Sequence, residues 1–237
     1  MTNYPTIGII GGMGPEATIE LYRRIIRIFQ REFGARDDAE FPEMYIVNLP
    51  IPDVVAQVAD NPEVERQLLQ AGKNLVRCGV QLIAIPCNSV MFTVPMLREQ
   101  LQVQVLNIVE EAATEVEKYR ARRVGVLATM TTVQNASYQK RLGNAELILP
   151  TTEEQKRITQ VILNVLSGEK TASDRETIRK IIDRMKECGA EKVILGCTEL
   201  PLLVSDIEGV VDTLEVLARS IVRWTTRDTL PRNLFKE

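Results

Sequence analysis

Residues 83–91 read IAIPCNSVM, an apolar run that breaks at a proline and a cysteine, and residues 193–198 read VILGCT, a second apolar run ending in a cysteine. The likeness extends backwards. Arg77-Cys78-Gly79-Val80 precedes the first run as Glu187-Cys188-Gly189-Ala190 precedes the second, so Cys78 and Cys87 stand nine residues apart, as do Cys188 and Cys197. A short run of β-branched and apolar residues entered from a glycine is the pattern of a buried strand. One strand-then-cysteine unit therefore occurs twice.

Outward from these units the chain follows one plan in each half. Residues 6–10 are a strand, Gly11-Gly12-Met13-Gly14-Pro15 a loop, and residues 16–33 carry apolar side chains at helical spacing. Pro15 suits a first helical position, where a missing N–H costs nothing. A strand over 44–49 runs into the proline-stiffened loop NLPIPD at 48–53, and a helix from Pro62 to about Cys78 is capped by Gly79. The strand 80–85 then reaches Cys87, Pro95 divides the helical material beyond it, and a strand over 103–108 and a helix over 109–119 complete the half. In the second half RVGVLA at 123–128 matches TIGIIG at 6–11, and Thr129-Met130-Thr131-Thr132 replaces the glycine loop. A helix over 133–142, a strand over 146–149, helices over 153–166 and 175–188, the strand 192–196, the strand 210–212 and a helix to about Thr225 follow.

Such alternation predicts the α/β class: two similar lobes, each a parallel sheet flanked by helices, related by a pseudo-twofold with the active site between them. The first lobe spans 1–118, with the closing helix 213–225 free to cross back onto it, the second spans 119–212, and 226–237 is a surface tail. Ligands of open parallel sheets bind beyond the carboxyl ends of the strands, which here carry Gly12, Cys87, Thr129 and Cys197. Both cysteines then face one cleft.

Composition narrows the chemistry. A net charge of −3 with scattered Lys and Arg offers no basic stripe for nucleic acid or an anionic membrane. No apolar run approaches the roughly 20 residues of a membrane span, and the start lacks a signal-peptide pattern, so a cytoplasmic protein is expected. Four cysteines in 237 residues suit free thiols, with a mutual Cys87–Cys197 disulfide as the alternative. There is no histidine, which excludes Ser-His and Cys-His nucleophiles and histidine-ligated metals; proton transfer falls to Cys, Asp, Glu, Lys or Tyr.

Cys87 and Cys197 are each followed by polar residues and a predicted helix start, whose N–H groups favour a thiolate. One thiolate removing a proton from a carbon acid while the opposed thiol supplies another inverts a stereocentre. Cys78 and Cys188, at helix ends, are expected to be small buried apolar residues. The segment 12–17, GMGPEA, also matches a G-x-G-x-x-A dinucleotide pattern, but the second strand, ending Val47-Asn48-Leu49, lacks the acid that would hold a ribose. The preferred reading of the loop is a set of N–H donors for a small carboxylate, with a plain tight turn as the alternative.

The segments IGIIGGMGPEAT at 7–18, PIPD at 50–53, IPCN at 85–88, GVLATMTT at 125–132, PTTEEQK at 150–156 and GCTEL at 196–200 together resemble the cofactor-independent aspartate/glutamate racemase family. The resemblance covers nearly the whole chain. It implies a two-lobed α/β fold, a homodimer, and a two-cysteine amino-acid racemisation with no cofactor or metal. It places Cys87 and Cys197 as the catalytic pair, Asn88, Ser89 and Thr198 beside the substrate's amino-acid head, and Met13 and Thr129 in the pocket lining. Three departures concern the substrate. Val54 stands where aspartate racemases carry an arginine for the distal carboxylate, Ser167 where an assisting lysine is expected, with Lys170 nearby, and CNSVM at 87–91 replaces CNTAH. The resemblance implies aspartate or glutamate as substrate, and because a buried carboxylate without a cationic partner costs on the order of several kcal/mol, Val54 adds an amino acid with an uncharged side chain to the expected substrates. Two other readings remain open: a related isomerase or decarboxylase of a small dicarboxylate, and an inactive metabolite-binding homologue.

Overall fold

All five residues of β1 (Ile7–Gly11) are buried, as a central strand of a sheet covered on both faces requires. The computed structural model describes residues 4–51, 61–143 and 145–227. In it β1 leads to α1 (Pro15–Glu32), β2 (Met44–Asn48), α2 (Pro62–Arg77), β3 (Leu82–Ala84), α3 (Val94–Leu101), β4 (Gln104–Val105) and α4 (Ile108–Lys118). The second half runs β5 (Arg123–Ala128), α5 (Met130–Gln134), α6 (Ser137–Arg141), β6 (Glu146–Ile148), α7 (Thr152–Leu166), α8 (Ala172–Glu187), β7 (Lys192–Gly196), α9 (Pro201–Val204), β8 (Val210–Asp212) and α10 (Thr213–Thr226).

The two sheets have the same strand order, β2-β1-β3-β4 and β6-β5-β7-β8, and every pairing is parallel. The fold class read from the repeat is therefore the one observed. Ile9 lies opposite Ala84 and Ala128 opposite Gly196, so the glycine loop and Cys87 leave one sheet side by side, as Thr129 and Cys197 leave the other.

The closing helix packs on the first half. Leu214, Leu217 and Ile221 of α10 are fully buried in one core with Ile25, Phe29 and Ile108, each worth about 2 kcal/mol by area. Nearly buried Arg24 of α1 fastens the contact, donating to Glu20 Oε1 at 2.8 Å and to Asp212 Oδ2 at 2.6 Å. Residues 228–237 of the anticipated tail lie outside the described residues. Among the described residues no helix is long and apolar enough to cross a membrane.

Two expectations are corrected. Residues 129–132 are not a loop: the Thr129 hydroxyl accepts from the Thr132 N–H and caps α5, and the helix expected over 133–142 breaks at Ala136, whose φ is +50°. Cys78 and Cys188 are exposed rather than buried. They end α2 and α8 just before Gly79 and Gly189, whose φ of +83° and +92° turns the chain off the helix before it enters the next strand.

Candidate active site

A cavity of about 150 Å³ opens where the strand ends of the two sheets meet. Met13, Cys87, Asn88, Ser89, Thr129, Cys197 and Thr198, all singled out from sequence, line it together. The volume is well below the roughly 300–1,000 Å³ of larger ligand sites and suits a small metabolite rather than a dinucleotide. Among the described residues no group of three or more Cys, Asp or Glu side chains is placed to hold a metal ion.

Each cysteine is presented by a tight turn. The Cys87 N–H donates to Ile85 O at 2.8 Å and the Met91 N–H to Asn88 O at 3.3 Å, folding the chain back directly after β3. After β7 the Leu200 N–H donates to Cys197 O at 3.1 Å. Cys87 belongs to the first core and Cys197 to the second, at 3 % and 5 % exposure, and both are free thiols, not a disulfide. Hydrogen bonds cross between the halves beside them: Ser89 Oγ with Thr129 Oγ1 at 2.9 Å, Thr198 Oγ1 to Pro86 O at 3.3 Å, and Tyr138 Oη to Asn88 Oδ1 at 2.7 Å.

The expectation that these positions favour thiolates is not met. Burial, and then the nearby Glu199 carboxylate, push the Cys87 thiol up to about 12, against the opposing pull of the Ser89 and Val90 N–H groups. Burial and Glu199 likewise hold the Cys197 thiol well above its usual range. Neither cysteine sits on a regular helix: α9 starts at Pro201 and α3 at Val94, so no long helix dipole offsets the lost hydration.

Glu199 is the group that reading by motif passed over, although it stands two residues after Cys197. Its Oε2 accepts from the Cys197 thiol at 3.0 Å and the Thr198 hydroxyl at 3.2 Å, and its Oε1 from the Gly14 N–H at 3.3 Å. Burial raises its carboxyl above the ordinary value, opposed by those donors. The glycine loop is corrected accordingly. Its Gly14 N–H serves the protein's own Glu199, and its Gly12 N–H donates to Thr18 Oγ1 at 3.0 Å, so neither is open for a substrate carboxylate.

Ser167 does not line the cavity. It ends α7, exposed, with its hydroxyl on Asn164 O at 2.8 Å; the preceding Leu166 reaches inward instead. Gly14 makes room for it, since a Cβ there would lie 2.5 Å from Leu166 Cδ2. Lys170 points to Glu16, with Nζ to Oε2 at 2.5 Å, bridging the α7–α8 linker to the start of α1. Val54 lies outside the described residues. Ile51, Met13, Pro15 and Leu166 form an apolar wall, and among the described lining residues Glu199 alone is charged.

The comparisons agree with this architecture. The chain is 29% identical to the broad specificity amino-acid racemase RacX of Bacillus subtilis over 220 residues, covering 91% of this chain and 96% of the relative. An aspartate racemase homologue from Pyrococcus horikoshii OT3 superposes with a TM-score of 0.75 at 30% identity, covering 93% of this chain and 99% of that one. The aspartate racemase of Picrophilus torridus shares the fold with a TM-score of 0.75 at 23% identity, over 93% and 94% of the two chains. Residues 10–221 match the Asp/Glu/Hydantoin racemase family, and with the paired sheets and the shared cavity this chain belongs to that family of isomerases.

Proposed function

We propose that the protein racemises a free α-amino acid with an uncharged side chain, moving one proton at Cα between Cys87 and Cys197 without a cofactor. The observation that carries the reading is the pair of buried thiols, one from each sheet, lining one small cavity. The apolar wall of Met13, Ile51 and Leu166, with no cationic side chain among the described lining residues, supports a neutral side chain and counts against a dicarboxylate. Asn88, Ser89 and Thr198 supply polar atoms for the carboxylate and ammonium groups.

The substrate's ammonium ion brings positive charge into a site dominated by Glu199, and so favours the thiolate that burial opposes. Glu199 takes the Cys197 proton along their hydrogen bond, and the Cys197 thiolate removes the α-proton, leaving a carbanion delocalised into the carboxylate. The Cys87 thiol then gives its proton to the opposite face. Glu199 ends protonated, Cys197 as a thiol and Cys87 as a thiolate; exchange with solvent returns the starting state. From the other enantiomer the cysteines trade roles.

A panel of L-amino acids in deuterated water tests the reading. Expected is α-deuteration with loss of circular dichroism for substrates with neutral side chains; absence of exchange for every proteinogenic amino acid overturns it. A homodimer belongs to the same proposal, supported by exposed Ile19 and Tyr22 on α1 and Tyr45 and Ile46 on edge strand β2, and sedimentation equilibrium measures it.

A further inference from the structure

Asn88 lines the cavity at 3 % exposure, and its two amide ends are treated differently. Oδ1 accepts from the Tyr138 hydroxyl at 2.7 Å, while Nδ2 is buried with no hydrogen-bond partner among the described residues. Buried donors are nearly always paired, so an unpaired one on a side chain that lines a cavity is the donor a ligand acceptor would complete. Which end faces the ligand decides what binds, because the oxygen accepts and the nitrogen donates.

Tyr138 comes from α6 in the other half of the chain and is 2 % exposed. Its ring lies over Gly196, where a Cβ would meet Cε2 at 2.9 Å, so the glycine before Cys197 is what admits it. Were the amide turned over, Nδ2 would donate to the phenol oxygen, the phenol hydrogen would lose its acceptor, and Oδ1 would face an arriving carboxylate. Burial, and then the neighbouring Cys197, hold the phenol above its usual range, so it keeps its hydrogen throughout the working pH range.

We propose that Tyr138 is a positioning residue that claims the Asn88 amide oxygen and so leaves its nitrogen as the donor for a ligand, selecting ligands with a free carboxylate over their carboxamides. The proposal rests on the amino-acid reading of the cavity given above. It acts through Asn88, and that distinguishes it from simple packing.

The test compares wild type, Tyr138→Phe, Asn88→Ala and the double variant, measuring kcat and KM for a racemised amino acid. Thermal stabilisation by that amino acid and by its carboxamide gives binding without turnover. Tyr138→Phe keeps the ring and removes the donor. It is expected to raise KM about tenfold, with a smaller change in kcat, and to reduce the preference for acid over amide by a similar factor. In the Asn88→Ala background the same change adds less than about twofold. Equal effects in both backgrounds, or an unchanged acid-to-amide preference, overturn the proposal. Asn88→Asp is the second variant: it still accepts from Tyr138 but turns a negative oxygen to the cavity, and must lose the amino acid while keeping its amide. An Asn88→Asp protein that binds both as wild type does overturns the proposal even if Tyr138→Phe fails to fold. Binding without α-exchange sinks racemisation alone and leaves these binding comparisons decisive; binding of neither compound sinks both.

Discussion

The Cys197 thiol donates a hydrogen bond to Glu199 Oε2 across 3.0 Å, in a cavity where both groups are nearly sealed from solvent. The companion cysteine, Cys87, feels the same carboxylate only through space, as a charge that opposes its ionisation. The two thiols are thus equivalent by repeat and unequal by environment.

Glu199→Gln removes the acceptor for the Cys197 proton. Proton wash-out begun by Cys197 should fall about 100- to 1,000-fold, the usual scale for losing a general base. Cys87 should ionise more readily once the carboxylate charge is gone. Early deuterium incorporation, followed separately from each enantiomer, checks the first effect, and alkylation of Cys87 the second.

Alkaline stability follows from the thiols. Their folded values lie above those of the unfolded chain, about 8.5, so the unfolded state releases protons that the native state retains. The stabilisation is complete below about pH 8.5 and is lost as pH rises toward about 12, the value at Cys87. The thermal midpoint should fall across this window, and Cys87→Ser should flatten the fall; an identical slope in the variant assigns it to other groups.

Gly14 and Leu166 form a second pair. Gly14→Ala places a Cβ 2.5 Å from Leu166 Cδ2 and 3.2 Å from Glu199 Oε1, driving the leucine toward the ligand and disturbing the carboxylate. The single variant should lose about tenfold or more in kcat/KM, a cost of at least about 1.4 kcal/mol in transition-state binding. Adding Leu166→Ala should restore part of it and admit larger side chains. Steady-state kinetics on a short and a long neutral amino acid measure both effects.

Arg24→Ala leaves the largely buried carboxylates of Glu20 and Asp212 without their cation. The expected loss is about 3 kcal/mol, as for removal of one partner of a buried pair. Urea denaturation should show a lower midpoint with an unchanged slope. The exposed pair Arg66–Glu63 provides the control: its removal should leave the midpoint almost unchanged.

The strands, their order of appearance and the shared cleft were legible because buried apolar runs and glycine caps are local signals. The register of residues 78–87 against 188–197 already implied paired sheets. The ionisation of the thiols was not legible, because it depends on burial and on Glu199, whose hydrogen bond to the Gly14 N–H spans 185 residues of sequence. Tyr138 escaped for the same reason, reaching Asn88 across 50 residues. Ser167, named because it stands where the family resemblance expects a lysine, lies at the exposed end of α7, and its neighbour Leu166 lines the cavity, a difference in direction that the sequence pattern does not resolve.

Three of the hydrogen bonds that join the halves, Ser89 with Thr129, Thr198 to Pro86 O and Tyr138 to Asn88, are buried beside the two cysteines. A hinge that parted the sheets would break all three together. Other contacts between the halves differ: Leu166 meets Gly14 through van der Waals contact, and the half-exposed Lys170–Glu16 pair is screened by water and salt. Raising ionic strength should therefore weaken the Lys170–Glu16 contact and leave the three buried bonds as they are.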